Sequence, residues 1–348
     1  MHELTGRGIT LSHSVFTYPN HQGSVYYGSY QNLPVGVKVK HYSDHNPDAP
    51  KEYQVWREMQ HPNVIRLYDC FWAWNGTWWY LVFVMEWCQW DASQEIAKRK
   101  EENRPFREVE LWNVAKGLGN ALAAMQTRGF SHHNLKLQNI YPFSDAPKIG
   151  DFSRSHFVDL SGFKTLDKDA SATTVPPFLS PELRYAWAYR LAYSDSNSYK
   201  ADAYSLGVVL FSLAKLEIPQ YFLQVHVPES EVKAGILELG YSEQFKKMLQ
   251  CLLAENVDYR WDFMQLSVMV DWHLPMENAP AGPGPGPNEQ ADVQALVHDV
   301  SIKLAVQEEA KSEPVSEKKP EVEKDVSSSD LQSNPDPPKA EEPGSLSK

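Results

Sequence analysis

His132-His133-Asn134-Leu135-Lys136-Leu137-Gln138-Asn139, followed nine residues later by Lys148-Ile149-Gly150-Asp151-Phe152-Ser153, is the stretch on which the reading of this 348-residue chain turns. It sets a carboxylate, Asp151, near a carboxamide, Asn139, the hard oxygen donors that suit Mg²⁺. Upstream, Val35-Gly36-Val37-Lys38 reads as a strand whose lysine can reach phosphates. Glu52, nine residues before His61-Pro62-Asn63-Val64, falls on a helical stretch where it can pair with Lys38. Phosphoryl transfer needs a phosphate clamp, a held metal and a group that orients the attacking hydroxyl, and these segments provide the first two.

The surrounding pattern is strands first and helices after. Gly23–Tyr30 and Pro34–Tyr42 alternate apolar and polar residues around Gln31–Leu33, which reads as a hairpin. Tyr53, Trp56 and Met59 recur at helical spacing within Pro50–Met59. Two further apolar runs flank Asn75-Gly76, a strong hairpin turn signal. Beyond Asp91, Ile96, Leu111, Val114, Leu118, Leu122 and Met125 fit helical spacing, as do Leu206–Leu216 and Phe245–Leu253. That order predicts an α+β architecture with a small β-rich lobe and a larger helical one.

From Pro275 the chain changes character. A Pro/Gly linker is followed by residues 291–310, where Val293, Leu296, Val297, Val300 and Leu304 share one helical face, and then by a Glu/Lys/Ser/Pro-rich end. Such a composition cannot bury enough apolar surface to fold, so 275–348 is expected to be a disordered tail. The amphipathic stretch is either transiently helical or a docking helix. A formal net charge of −12 argues against a nucleic-acid or anionic-membrane surface, and no apolar run approaches membrane-spanning length. Cys70, Cys88 and Cys251 have no metal-like spacing, and no signal peptide is visible. The expectation is an intracellular, cytoplasmic protein with reduced thiols.

From about Phe16 to Leu274 the chain resembles the eukaryotic protein kinase domain of the serine/threonine kind. VGVK stands for V-A-I-K, HHNLKLQN for H-R-D-L-K-x-x-N, DFS for D-F-G and Ser180-Pro181-Glu182 for A-P-E. Lys200–Gly207 resembles the family's D-x-W-S-x-G helix start. Asp258-Tyr259-Arg260 resembles its late Asp-Pro-x-Arg, which implies an Arg260–Glu182 pair. The resemblance implies an N-lobe over about 16–88 and a C-lobe over 89–274. Gly23, Val25, Gly36, Lys38, Glu52, Glu86, Cys88 and Tyr141 would lie around ATP, with Met85 as gatekeeper and Asn139 and Asp151 on Mg²⁺. Lys136 marks the serine/threonine type. Leu67, Trp56, Phe152 and His132 would form the apolar stack joining the lobes.

The departures point away from turnover. Asn134 replaces the aspartate that takes the substrate proton, and a carboxamide cannot accept one. His133 replaces an arginine with a weaker, pH-dependent cation, and Val175 replaces a hydroxyl residue. Tyr18 and Asn20 occupy glycine positions of the phosphate loop, leaving Gly23. Tyr141 either crowds the adenine site or stacks on the base, and Asp91 lies one residue short of the ribose position. The expected function is therefore a catalytically inactive kinase-like scaffold or allosteric partner of another protein, with ATP and Mg²⁺ as candidate ligands. Two alternatives remain: a weakly active serine/threonine kinase, and a purely structural component whose Trp72–Trp90 aromatics form a contact patch or simply pack.

Overall fold

The computed structural model describes residues 2–17, 23–42, 50–141, 146–166 and 174–273. Tyr18, Asn20 and the tail from Pro275, including the stretch 291–310, lie outside the described residues. A short helix α1 (His2–Gly6) precedes strands β1 (Ile9–Thr17), β2 (Gly23–Tyr30) and β3 (Leu33–Tyr42). Helix α2 (Lys51–Glu58) then leads to β4 (Leu67–Trp74) and β5 (Trp79–Glu86). The five strands form one antiparallel sheet in the order β1-β2-β3-β5-β4.

The two expected hairpins form, each with a different loop from the one read in the sequence. Gln31 and Asn32 alone connect β2 to β3, at φ 51° and 65°, because two left-handed residues give the twist a two-residue hairpin needs. Leu33 therefore belongs to the strand, opposite Tyr30. Asn75-Gly76 does sit in the β4–β5 connection, but Trp74 pairs with Trp79, so the loop has four residues. The Asn75 carboxamide oxygen accepts hydrogen bonds from the Thr77 and Trp78 amides at 3.0 and 2.8 Å, and Gly76 supplies φ 98°. The sheet begins at Ile9, ahead of the start expected near Phe16. Register shifts between Leu11 and His13 and between Ser14 and Phe16 break the two-residue period that would have revealed β1.

Alternation along β3 assigns its two faces. Val35, Val37 and Val39 pack with Ile9, Phe71, Val82 and Val84, with Leu4 of α1 against them. Gly36 and Lys38 fall on the opposite face, toward α2 and the helical lobe. That lobe contains α3 (Ala92–Glu101), α4 (Glu108–Thr127), α5 (Pro181–Tyr189), α6 (Ser198–Lys215), α7 (Glu229–Leu237), α8 (Glu243–Leu252) and α9 (Phe263–His273). Its centre is α6, buried continuously from Ala201 to Leu213, as an all-round apolar helix must be. One large core runs from Val55 and Trp56 of α2, through Phe83 and Phe152, into α4, α6, α8 and α9.

The Arg260–Glu182 pair forms as expected. Arg260 is 1% exposed and grips Glu182 through both terminal nitrogens, at 2.7 and 3.0 Å. It also donates to the carbonyls of Ala254, Glu255 and Lys200. Removing one partner of a buried pair strands the other. Arg260→Met is therefore expected to lower the unfolding free energy by roughly 3–5 kcal/mol. Lys100→Met, at the exposed Lys100–Glu217 contact, should cost less than about 1 kcal/mol. Urea denaturation followed by tryptophan fluorescence separates the two; equal losses would contradict the anchoring role.

Candidate functional site

The site is assembled around one buried ammonium. Lys38 is 2% exposed, and β3 aims it between α2 and the segment that begins at Asp151. Its Nζ donates to Glu52 Oε1 at 2.6 Å and to Asp151 Oδ1 at 2.8 Å. Lys40, two residues on and so on the same face of β3, donates to Glu52 Oε2 at 2.5 Å. Sequence reasoning missed Lys40, although the two-residue period was there to find it.

Asp151 holds a left-handed backbone at φ 62°, uncommon for a non-glycine residue. Burial alone would raise its carboxyl, but the charge and hydrogen bond of Lys38 hold it well below the usual range, and Lys136 adds to that field. Its second oxygen accepts a hydrogen bond from Asn134 Nδ2 at 2.7 Å. A carboxylate offers no donor, so Asn134 must present its N–H₂ there. Asn139 donates from Nδ2 to the Asn134 carbonyl at 2.7 Å, while its own carbonyl accepts the Gly150 amide. Lys38, Glu52, Asn134, Asn139 and Asp151 are thus brought together.

The stack beneath them also forms. Ring centroids lie 5.5 Å apart for Trp56–Phe152 and 5.2 Å for Phe152–His132, and Leu67 packs partly buried against the same core. His132 accepts the Asn134 amide at Nδ1, which leaves the proton on Nε2 for the Gly150 carbonyl at 3.2 Å. Burial lowers its pKa to about 4, so it is a neutral structural ring. Asp202 of α6 accepts the backbone amides of both His132 and His133, at 2.6 and 2.8 Å. His133 corrects the expectation of a pH-dependent cation. Burial first, then the neighbouring His156, pushes its imidazole down to about 3.

The residues expected around the base are arranged less evenly. Val25 lies opposite Lys38 in the β2–β3 register. A Cβ on Gly23 would sit 2.2 Å from the Val39 carbonyl oxygen, so glycine is required there by the neighbouring strand itself. A Cβ on Gly36 would meet Met85 Cε at 3.0 Å and the Trp87 ring at 3.7 Å. Tyr27 packs on Trp87 at 4.9 Å between centroids, an aromatic pair that no local motif signalled. The Glu86 carboxylate takes Lys148 at 2.6 and 2.8 Å, and its amide donates to the Arg66 carbonyl. Burial, then Glu86, pushes the Cys88 thiol up to about 12. The Tyr141 ring lies against Gly150, 3.1 Å from where a Cβ would stand. Asp91 caps α3, accepting the amides of Ser93 and Gln94.

A family model described as the protein kinase domain matches residues 23–270. The chain is 32% identical over 178 residues to the probable serine/threonine-protein kinase nek3 of Dictyostelium discoideum, covering 49% of this chain and 14% of that protein. It is 25% identical over 254 residues to serine/threonine-protein kinase 10-A of Xenopus laevis, covering 70% of this chain and 25% of that one. It is 26% identical over 215 residues to the human serine/threonine-protein kinase TAO2, covering 59% of this chain and 16% of that one. The chain therefore spans a quarter or less of the length of these relatives.

The Asn134–Asp151 contact can be tested by stability alone. Asn134→Asp places two carboxylates where an N–H···O bond of 2.7 Å now stands, so one carboxyl must have a raised pKa. A raised acid pKa contributes stability at low pH that is lost as pH rises through it. The variant should match wild type near pH 4 and fall behind by about 1–3 kcal/mol near pH 7.5 in EDTA. Equal stability at pH 7.5 would show that the hydrogen bond is not made.

Proposed function

Because this chain belongs to the protein kinase domain family, with a β-sheet N-lobe and a helical C-lobe, we propose that it is a catalytically inactive, serine/threonine-type kinase fold serving as a scaffold or allosteric partner of another protein. The observation that carries this reading is the Asn134 amide turned onto Asp151. At the place where a general base would take the substrate proton, the chain presents an N–H donor already committed to its neighbour. Positioned acid–base groups contribute about 10²–10⁴-fold, so turnover is expected to be severely reduced. Val175 adds to this, being 4% exposed in an apolar cluster with Leu179, Leu183 and Trp187.

ATP fits the remaining donors in part. Lys38, held by Glu52, offers an ammonium to phosphate, and Asp151 and Asn139 offer carboxylate and carboxamide oxygens to Mg²⁺. The Asn134 N–H competes with a cation for Asp151 Oδ2. Bound Mg–ATP would supply a transferable phosphoryl group and neutralise its charge. The proposed domain keeps the expected end at 274 and the lobe junction near 88, but its start moves from 16 to Ile9, where β1 joins the sheet. In the purely structural alternative, the contact patch would include Trp74, Trp78 and Trp90, all exposed. No helix among the described residues is long and apolar enough to cross a membrane.

A second reading, a weak serine/threonine kinase, is favoured by the closed Lys38–Glu52–Asp151 arrangement over an intact Trp56–Phe152–His132 stack. Radiolabelled ATP and a thermal-shift titration on wild type and Lys38→Met distinguish the readings. The scaffold reading expects no stoichiometric autophosphorylation and a rise in melting temperature with ATP that Lys38→Met removes. Phosphorylation abolished by Lys38→Met would establish the enzyme. No shift at millimolar ATP would make Lys38, Glu52, Asn139 and Asp151 purely structural.

A further inference from the structure

Three ligating side chains that the functional reading does not use converge elsewhere in the fold. His133 follows His132 in the catalytic-loop segment, His156 lies in the short strand His156–Phe157, and Asp195 starts the turn before α6. One nitrogen from each imidazole and one Asp195 oxygen lie within 4.8 Å of one another. His156 Nε2 is 2.8 Å from Asp195 Oδ1, and the Asp195 side chain is completely buried. The two imidazole rings meet edge to face at 4.6 Å.

The hydrogen bonding around these rings leaves one atom unexplained. His133 Nδ1 faces the Tyr193 hydroxyl at 3.3 Å, and its Nε2 is buried with no hydrogen-bond partner. His156 Nδ1 faces the Arg154 carbonyl at 3.3 Å, and its Nε2 faces Asp195 Oδ1 with the Ser131 hydroxyl also 3.3 Å away. A proton on His156 would satisfy the His156–Asp195 contact yet leave His133 Nε2 orphaned, and a buried polar atom without a partner is unfavourable. A cation between the three would satisfy all of them. The outer nitrogens already have the carbonyl and hydroxyl partners that orient metal-bound histidines, and Ser198 donates to Asp195 Oδ1 at 2.6 Å.

We propose that His133, His156 and Asp195 form a structural Zn²⁺ site tying the catalytic-loop segment to the chain beyond Asp151 and to the foot of α6. Two imidazoles and a carboxylate suit Zn²⁺ rather than Mg²⁺ or Ca²⁺, which favour all-oxygen sets. Bonds of about 2.0–2.2 Å require donors about 3.3 Å apart, so His133 closes the remaining gap by a small ring movement. Lys164, on Asp195 Oδ2 at 2.7 Å and about a third exposed, is the competing cation and can swing into solvent.

The test uses the full chain stripped with EDTA and titrated with Zn²⁺ by calorimetry, and with Co²⁺ by visible absorption. Wild type is expected to bind one equivalent and to melt higher with Zn²⁺ but not with Mg²⁺. His156→Gln and Asp195→Asn should each weaken binding by about tenfold or more, while Lys164→Met, which removes the competitor, should tighten it. Should the first two variants fail to fold, the wild-type titration and Lys164→Met still decide. No binding in wild type, binding unchanged in Asp195→Asn, or binding weakened by Lys164→Met would each overturn the site.

Discussion

An ammonium group taken out of water must be matched by charge close at hand, or the fold that buries it does not persist. Lys38 imposes this condition on three parts of the chain at once. α2 has to lie close enough for Glu52 to reach it, and the segment after Gly150 has to enter the same space with Asp151. The sheet has to present β3 with its valines facing the other way. Once those three are placed, Trp56 is carried over Phe152 and Phe152 over His132. His132 and His133 are in turn fastened by their backbone to Asp202 of α6. The two lobes are joined by a chain of contacts that starts from one positive charge.

Within that frame a carboxamide rather than a carboxylate at position 134 leaves no hole. The carboxamide has nearly the same shape, keeps its place beside Asp151 and contributes a hydrogen bond that a carboxylate could not. The site is thereby settled as an electrostatically neutralised cluster: two lysines, two carboxylates and an amide donor, each engaged. The Asn134 carboxamide accepts no proton, and its N–H₂ is held by Asp151.

Much of this was legible in order and spacing. Lys38, Glu52, Asn139, Asp151 and the Glu182–Arg260 pair could be read because each lies at a set distance from a short, recognisable run of residues, and the resemblance linked the runs. What escaped notice depends on contacts between distant parts of the chain. β1 hid behind its register shifts. Tyr27 of β2 meets Trp87, just past the end of β5 and sixty positions away in the sequence. His133, His156 and Asp195 have no common spacing at all and become a group only through folding. Asp91, one residue short of the ribose position, caps its own helix α3.

The hydrogen bond from Asn134 to Asp151 also links the two positions under substitution. A carboxylate at 134 alone would face Asp151 as a like charge, and an apolar residue at 151 alone would leave the Asn134 amide and the Lys38 ammonium each short of an acceptor. The two positions therefore behave as one unit, and what each tolerates is set by what stands at the other.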